Sequence, residues 1–244
     1  MYLLADQSSN AKLGKNSEVS AEWNTSILYL SPADSSGVNI CPASSPGCRA
    51  ACLNTAGRGA MGSVQAGRMR KTRLFLDDRA EFMRQLVADL TTIANRQERT
   101  SIRQAVRLNG TSDLAWESIP CIVNGVVWTN VMSAFPQLTF YDYTKLPARA
   151  SAARVGGDPD FPSNYHLTFS RSEVNDRVAK LVAKTGTNIA VVFQGERLPT
   201  TWFGRPVIDG TEHDMRFLDP KGVVVGLLAK GKAKKDDSGF AIAV

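Results

Sequence analysis

The chain has 244 residues, with 29 Lys and Arg against 23 Asp and Glu and a formal net charge of +6. That length predicts one α/β domain spanning residues 1–244 with a substantial core, and the positive balance points to a polyanionic partner, a nucleotide or nucleic acid. No apolar run approaches a membrane span and Met1-Tyr-Leu-Leu-Ala-Asp-Gln is too short for a signal segment, so membrane and secreted classes are excluded and a cytoplasmic protein is expected.

Residues 1–25 are polar and mixed and read as an irregular arm packed by Leu3, Leu4 and Trp23. Ser26-Ile-Leu-Tyr-Leu30 is a short apolar run that predicts a first strand, and turn formers from Ser31 to Gly37 follow it. Next comes Cys41-Pro-Ala-Ser-Ser-Pro-Gly-Cys48-Arg-Ala-Ala-Cys52, which holds three of the four cysteines. Turn residues on one side and a helix-compatible step on the other let three thiolates meet at a metal or an iron–sulfur cluster. The Cys-x6-Cys-x3-Cys spacing is not a standard zinc pattern. Two readings stay open beside it: Cys48 and Cys52 as small buried hydrophobes with Cys41 an unrelated thiol, and a disulfide, which the intracellular setting disfavours.

The glycine-rich stretch Leu53 to Gly62 reads either as a connector or as backbone able to approach an anion closely. A helix over Val64 to Leu76 carries Arg68, Arg70, Lys71 and Arg73, either a solvated face or phosphate contacts. Asp78-Arg-Ala-Glu81 predicts a capping box before a second helix whose Phe82, Leu86, Leu90 and Ile93 form a core stripe.

Ala105 to Leu108 predicts a strand running into Asn109 and Asp113, and the segment after it puts Asp113 and Glu117 on one helix face. There the two carboxylates hold a divalent ion or cap and solvate the helix. Val126 to Phe135 is read as a helix, Leu138 to Tyr141 as a strand ending at Asp142 and Lys145, and Tyr165 to Phe169 as a strand passing into Arg171 and Glu173. A helix with Val174, Val178, Leu181 and Val182 on one face follows, stopped at Gly186, and then the strand Asn188 to Phe193.

Such alternation predicts a mostly parallel sheet, a TIM-like or partial (β/α) barrel, whose strand ends gather polar residues at one rim. Residues 200–244 read as a β-rich, antiparallel extension or lid with strands at Trp202 to Ile208, His213 to Leu218 and Val223 to Ala229, and Lys230 to Lys235 as a solvated turn. His166 reads as a sheet residue, and His213 as either a turn residue, a fourth metal ligand or a general base. Neither a Ser-His-Asp arrangement nor a nucleotide-binding glycine fingerprint nor a P-loop is present.

With the cysteine loop, Arg107-Leu-Asn-Gly-Thr-Ser-Asp113, Phe140-Tyr-Asp-Tyr-Thr-Lys145, Leu167-Thr-Phe-Ser-Arg-Ser-Glu173 and Phe217-Leu-Asp-Pro-Lys-Gly222 in view, the chain resembles the bacteriophage gene product 88-like family. That resemblance implies a bacterial host cytoplasm. It is also similar, more loosely, to radical S-adenosylmethionine enzymes, whose three cysteines after the first barrel strand hold a 4Fe–4S cluster. The spacing in that superfamily is usually Cys-x3-Cys-x2-Cys with an aromatic before the last cysteine, where this chain has Ala51.

The similarity implies Cys41, Cys48 and Cys52 as cluster ligands. Asn109, Asp113 and Arg171 would bind the S-adenosylmethionine cofactor, and Asp142, Lys145 and Glu173 would be catalytic. The leading expectation is therefore an iron–sulfur enzyme acting on a nucleotide or nucleic acid. Its alternatives are a basic nucleic-acid-binding protein, with structural zinc or no metal, and a metal-dependent nuclease or glycosidic-bond enzyme using Asp113, Glu117 and Asp142.

Overall fold

The computed structural model describes residues 2–6, 22–154 and 156–244. Most of the expected N-terminal arm lies outside the described residues, but its first part is a short strand, β1 (Leu4–Asp6), antiparallel to β2 (Trp23–Leu28). Leu3 and Trp23 are buried as expected. From β2 the chain passes through the cysteine segment, with the one-and-a-half-turn helix α1 (Pro46–Ala50), into α2 (Gly62–Asp77) and α3 (Arg79–Thr100).

The start of α3 is fixed as its capping box requires: the Asp78 carboxylate accepts from the Glu81 N–H at 3.0 Å. Its stripe of Phe82, Leu86, Leu90 and Ile93 is buried, so four side chains at helical spacing cover one face of the sheet.

β3 (Arg103–Arg107), β6 (Thr139–Thr144), β7 (Tyr165–Ser170), β8 (Ile189–Gln194), β11 (Val224–Leu228) and β10 (Arg205–Asp209) continue the sheet from β2, each parallel to its neighbour. β9 (Thr201–Trp202) closes the far edge as a hairpin with β10, and β12 (Ala241–Ala243) pairs parallel with the second half of β8. The path runs from β1 to β9, and among the described residues no pairing joins those two edges into a barrel.

Side-chain alternation along the strands sorts two faces. Val106, Phe140 and Tyr165 lie with the α2 and α3 side chains in the largest core cluster. Ile27, Ala105 and Tyr141 point the other way, against Met215 and Phe217. α5 (Pro147–Ala152) carries Arg149, and α6 (Asp176–Lys184) packs Val178, Ala179, Val182 and Ala183 on Phe169, Ile189 and Val191.

Several expectations change. Val126 to Phe135 is not a helix: β4 (Cys121–Val123) and β5 (Val126–Trp128) form a hairpin, and only Val131–Ala134, α4, is helical. Asn124 and Gly125 both take positive φ, the turn that matches strand twist. On α6 the buried side begins at Val178, and Val174 and Leu181 are exposed. Val174 precedes the helix, so its spacing to Val178 carries no face.

In the C-terminal stretch only β9 is antiparallel, because β10, β11 and β12 join the main sheet in parallel. His213 to Leu218 is no strand but ends in a 3-10 turn at Arg216–Leu218, and the lysine stretch is the 3-10 turn Gly231–Lys235. No helix among the described residues is long and apolar enough to cross a membrane.

Candidate functional site

β2 delivers the chain to the carboxyl rim of the sheet. There the Ser31 N–H donates to Thr72 Oγ1 of α2 at 2.7 Å, which ties the start of the cysteine segment to that helix. The turn that follows brings the Ala33 N–H to 3.3 Å from Cys41 Sγ, and the Cys41 thiol lies 3.5 Å from the Thr111 carbonyl at the end of the β3 loop. Cys48 rides on α1, whose cap is Ser45: its hydroxyl accepts from the Cys48 N–H at 3.2 Å and donates to Glu173 at 2.7 Å. The same Glu173 carboxylate accepts from the Gly47 N–H at 2.8 Å. Cys52 caps the next 3-10 turn, with the Asn54 N–H 3.5 Å from its sulfur.

The three thiols lie close enough to act on one another electrostatically. Burial pushes the Cys41 thiol up to about 11, the Ala33 N–H opposes that rise, and negative charge on Cys52, Cys48 or Asp113 adds to it. Burial also raises Cys48, against the Lys145 ammonium, while Cys52, Glu173 and Asp113 reinforce the rise. Among the described residues no three His, Cys, Asp or Glu side chains stand in ligand positions around one point.

The donor chemistry nevertheless fits a three-thiolate group. Two of the sulfurs accept main-chain N–H groups, a cation faces the third, and Arg68 is near Cys52; at Cys41 and Cys48 these contacts oppose the burial that raises both thiols without cancelling it. A closed zinc set is less well supplied. His213 is engaged by Arg216 at 3.2 Å and faces Asp219 at 3.8 Å, and His166 lies at the other end of its strand, so no histidine stands beside the thiols as fourth ligand.

Alternation at the strand ends separates the remaining expected residues. Lys145 points to the cysteine side: its Nζ donates to Ser170 Oγ at 2.5 Å and stands 5.6 Å from the centre of the Phe240 ring, itself packed with Cys48. Asp142 points to the helix side. Rather than ending a strand it lies within β6, fully buried, accepting from the Asn109 N–H at 2.8 Å, from Asn109 Nδ2 at 3.3 Å and from the Tyr165 hydroxyl at 2.8 Å. Asn109 is consumed in the same network, its Oδ1 accepting from Ser112, Leu114 and Trp116.

Asp113 and Glu117 are not on one helix face. Both clasp Arg149, at 2.8 Å and 2.5 Å, so a guanidinium occupies the place a divalent ion would take. Arg171 donates to the carbonyls of Gly239 and Phe240 and pairs with Asp176 at 2.6 Å, which makes it a fastener rather than a ligand contact.

The basic run of α2 likewise divides. Arg68 is buried over the Tyr29 ring and donates to Asn54, Lys71 donates to the Leu3 carbonyl, and only Arg70 and Arg73 are exposed. Sequence reasoning missed Arg68 as an inward residue, and it missed Arg107, which pairs with Asp214 at 2.8 Å and lies over Tyr143. Strand parity was the available signal, since Arg107, Tyr143 and Lys145 share the face that looks toward the cysteines.

A family model described as Gene product 88 matches residues 2–244. No curated protein and no solved structure matches the chain.

Proposed function

The chain belongs to the Gene product 88 family, and we propose that in it Cys41, Cys48 and Cys52 hold a 4Fe–4S cluster in an enzyme resembling the radical S-adenosylmethionine type. The observation that carries this reading is that Cys41, Cys48 and Cys52 all lie on the one segment that leaves β2 at the carboxyl rim, two of them accepting main-chain N–H groups. When bound by three cysteines, such a cluster leaves one iron open to an amino-acid-bearing cofactor and supplies electrons at low potential.

The chain's own residues have narrower roles here than the sequence suggests. Lys145 is the cation placed to pair with an anionic group beside Cys48, and Ser170 holds its ammonium in place. Glu173 is a positioning residue that fixes the cap of α1 and with it Cys48. Arg171 holds Phe240 near Lys145. Asp113, Asn109 and Asp142 brace the rim through Arg149, Trp116 and Tyr165.

A phosphate-bearing substrate, a nucleotide or nucleic acid, suits the entrance. Lys230, Lys232, Lys234 and Lys235 are exposed on the 3-10 turn whose Gly231 packs against Ala56 of the cysteine segment. The progressive order of β2, β3, β6, β7 and β8 suits a partial barrel, the scaffold on which this chemistry is built.

Anaerobic reconstitution with iron and sulfide tests the reading. Wild-type protein is expected to turn brown with broad absorption near about 400 nm and to hold on the order of four irons per chain. Cys48→Ala should stay colourless, whereas Cys121→Ala, altered in the buried core, should load normally. A colourless wild type that carries one zinc would defeat the proposal.

A further inference from the structure

Away from the cysteines, at the amino ends of β7 and β8, the chain encloses a second concavity of about 790 Å3. Its volume falls within the range of small-molecule sites. The lining carries three cations, Arg154, Arg216 and Lys221, and one carboxylate, Asp158, which already accepts from the Asp160 N–H at 2.9 Å.

Arg216 is the informative residue. It lines the space yet is 3% exposed; its NH2 donates to the His213 carbonyl and its NH1 forms an ion pair with the Asp219 carboxylate at 3.3 Å. The guanidinium is thus held rigidly at the wall of the concavity by His213 and Asp219, a fixed cation that loses little freedom when an anion approaches.

Beside the cations stands an aromatic wall. Phe217 lies 5.9 Å from His166, ring centre to ring centre, with the planes 36° apart. Burial, reinforced by Lys221, holds His166 down to about 4, so the imidazole is neutral at physiological pH and adds no competing charge to the wall. The lining thus combines a flat uncharged surface with fixed cations, a set that suits a molecule carrying both a ring and a multiply charged anion.

We propose that this concavity binds a nucleoside monophosphate, with the phosphate held by Arg216 and Lys221 and the base lying against Phe217 and His166. The site is independent of the cysteine proposal, since none of its residues belongs to the rim.

Calorimetric titration of the full chain with AMP, GMP, CMP and UMP tests it, with adenosine and inorganic phosphate as separate arms. At least one nucleotide should bind in the submillimolar range, more tightly than phosphate alone and much more tightly than adenosine. Lys221 is exposed, so Lys221→Ala should fold normally and weaken the nucleotide about tenfold, as loss of one charge-assisted contact predicts. Phe217→Leu should weaken the nucleotide while leaving phosphate unchanged. Absence of binding by all four nucleotides at millimolar concentration, adenosine binding as tightly as AMP, or an unaltered affinity in Lys221→Ala would overturn the proposal.

Discussion

Asp142 shows how one side chain is decided by its surroundings. Fully buried between Asn109 and Tyr165, it accepts three hydrogen bonds and has Arg107 Nε at 3.8 Å. Burial nonetheless dominates, and its carboxyl is pushed up to about 7. In the unfolded chain the same group titrates near about 3.9. Between those two pH values the folded protein holds a proton that the unfolded chain has released, so this group's stabilisation is complete below the unfolded pKa and is lost as pH rises through about 7. Asp142→Asn cannot ionise. The stability advantage of wild type over Asp142→Asn, measured by urea unfolding, should therefore be larger at pH 5 than at pH 8, and an advantage that grows with pH would refute the assignment. The sequence revealed that a carboxylate stood in an apolar strand and needed partners. It did not reveal which face the carboxylate took, because the strand runs three residues past Tyr141 and parity then turns Asp142 away from Lys145.

At the level of elements, α1 is too short to hold itself and depends on Glu173. A Cβ added at Gly47 would lie 2.1 Å from Ser238 Oγ and 2.8 Å from Glu173 Oε1, the very oxygen that accepts the Gly47 N–H. Ser238 can rotate aside, but Glu173 cannot withdraw without losing that bond. Gly47→Ala should cost about 1–3 kcal/mol, as overpacking does, and Glu173→Ala about 2 kcal/mol from two lost hydrogen bonds to a charged group. Glu173→Gln, which can still bond both partners, should be nearly neutral. Urea midpoints give the ranking, and a Gly47→Ala chain as stable as wild type would show that α1 does not dock there.

The N-terminal cap of α3 was legible because it depends on neighbours in sequence. The Asn124-Gly125 hairpin was also written locally, between Cys121-Ile-Val and Val126-Val-Trp, but the apolar spacing from Val126 to Phe135 mimics a helix and obscured it. The clasp of Asp113 and Glu117 on Arg149 depends on residues 36 and 32 positions away, beyond the reach of any local pattern.

Across the molecule, the parallel winding of β2, β3, β6, β7 and β8 follows from alternating strands and helices, but the sheet's later course follows from tertiary pairing. β8 meets β7 only at Ile189 and Ala190; from Val192 onward the same edge is taken by β12. The chain leaving β7 must therefore part from β8 just where β12 enters, and Arg171 stands at that fork. Its main-chain N–H makes a last bond to the Ala190 carbonyl at 2.9 Å, while its guanidinium reaches the Gly239 and Phe240 carbonyls and Asp176. Arg171→Ala would leave two carbonyls without their donor and loosen the approach to β12, a loss of about 3 kcal/mol. Phe240 and Ala241 pack in the cluster that partly covers Cys48, whereas Cys121 is buried separately beneath α3. Loosening the fork should thus raise the iodoacetamide labelling rate of Cys48 several-fold, followed by peptide mass spectrometry, and leave Cys121 at its wild-type rate. Equal acceleration at both cysteines would mean general unfolding, and an unchanged Cys48 would mean that the fork is held by β12 pairing alone; only selective exposure of Cys48 agrees with a rim whose far edge is fastened by one arginine.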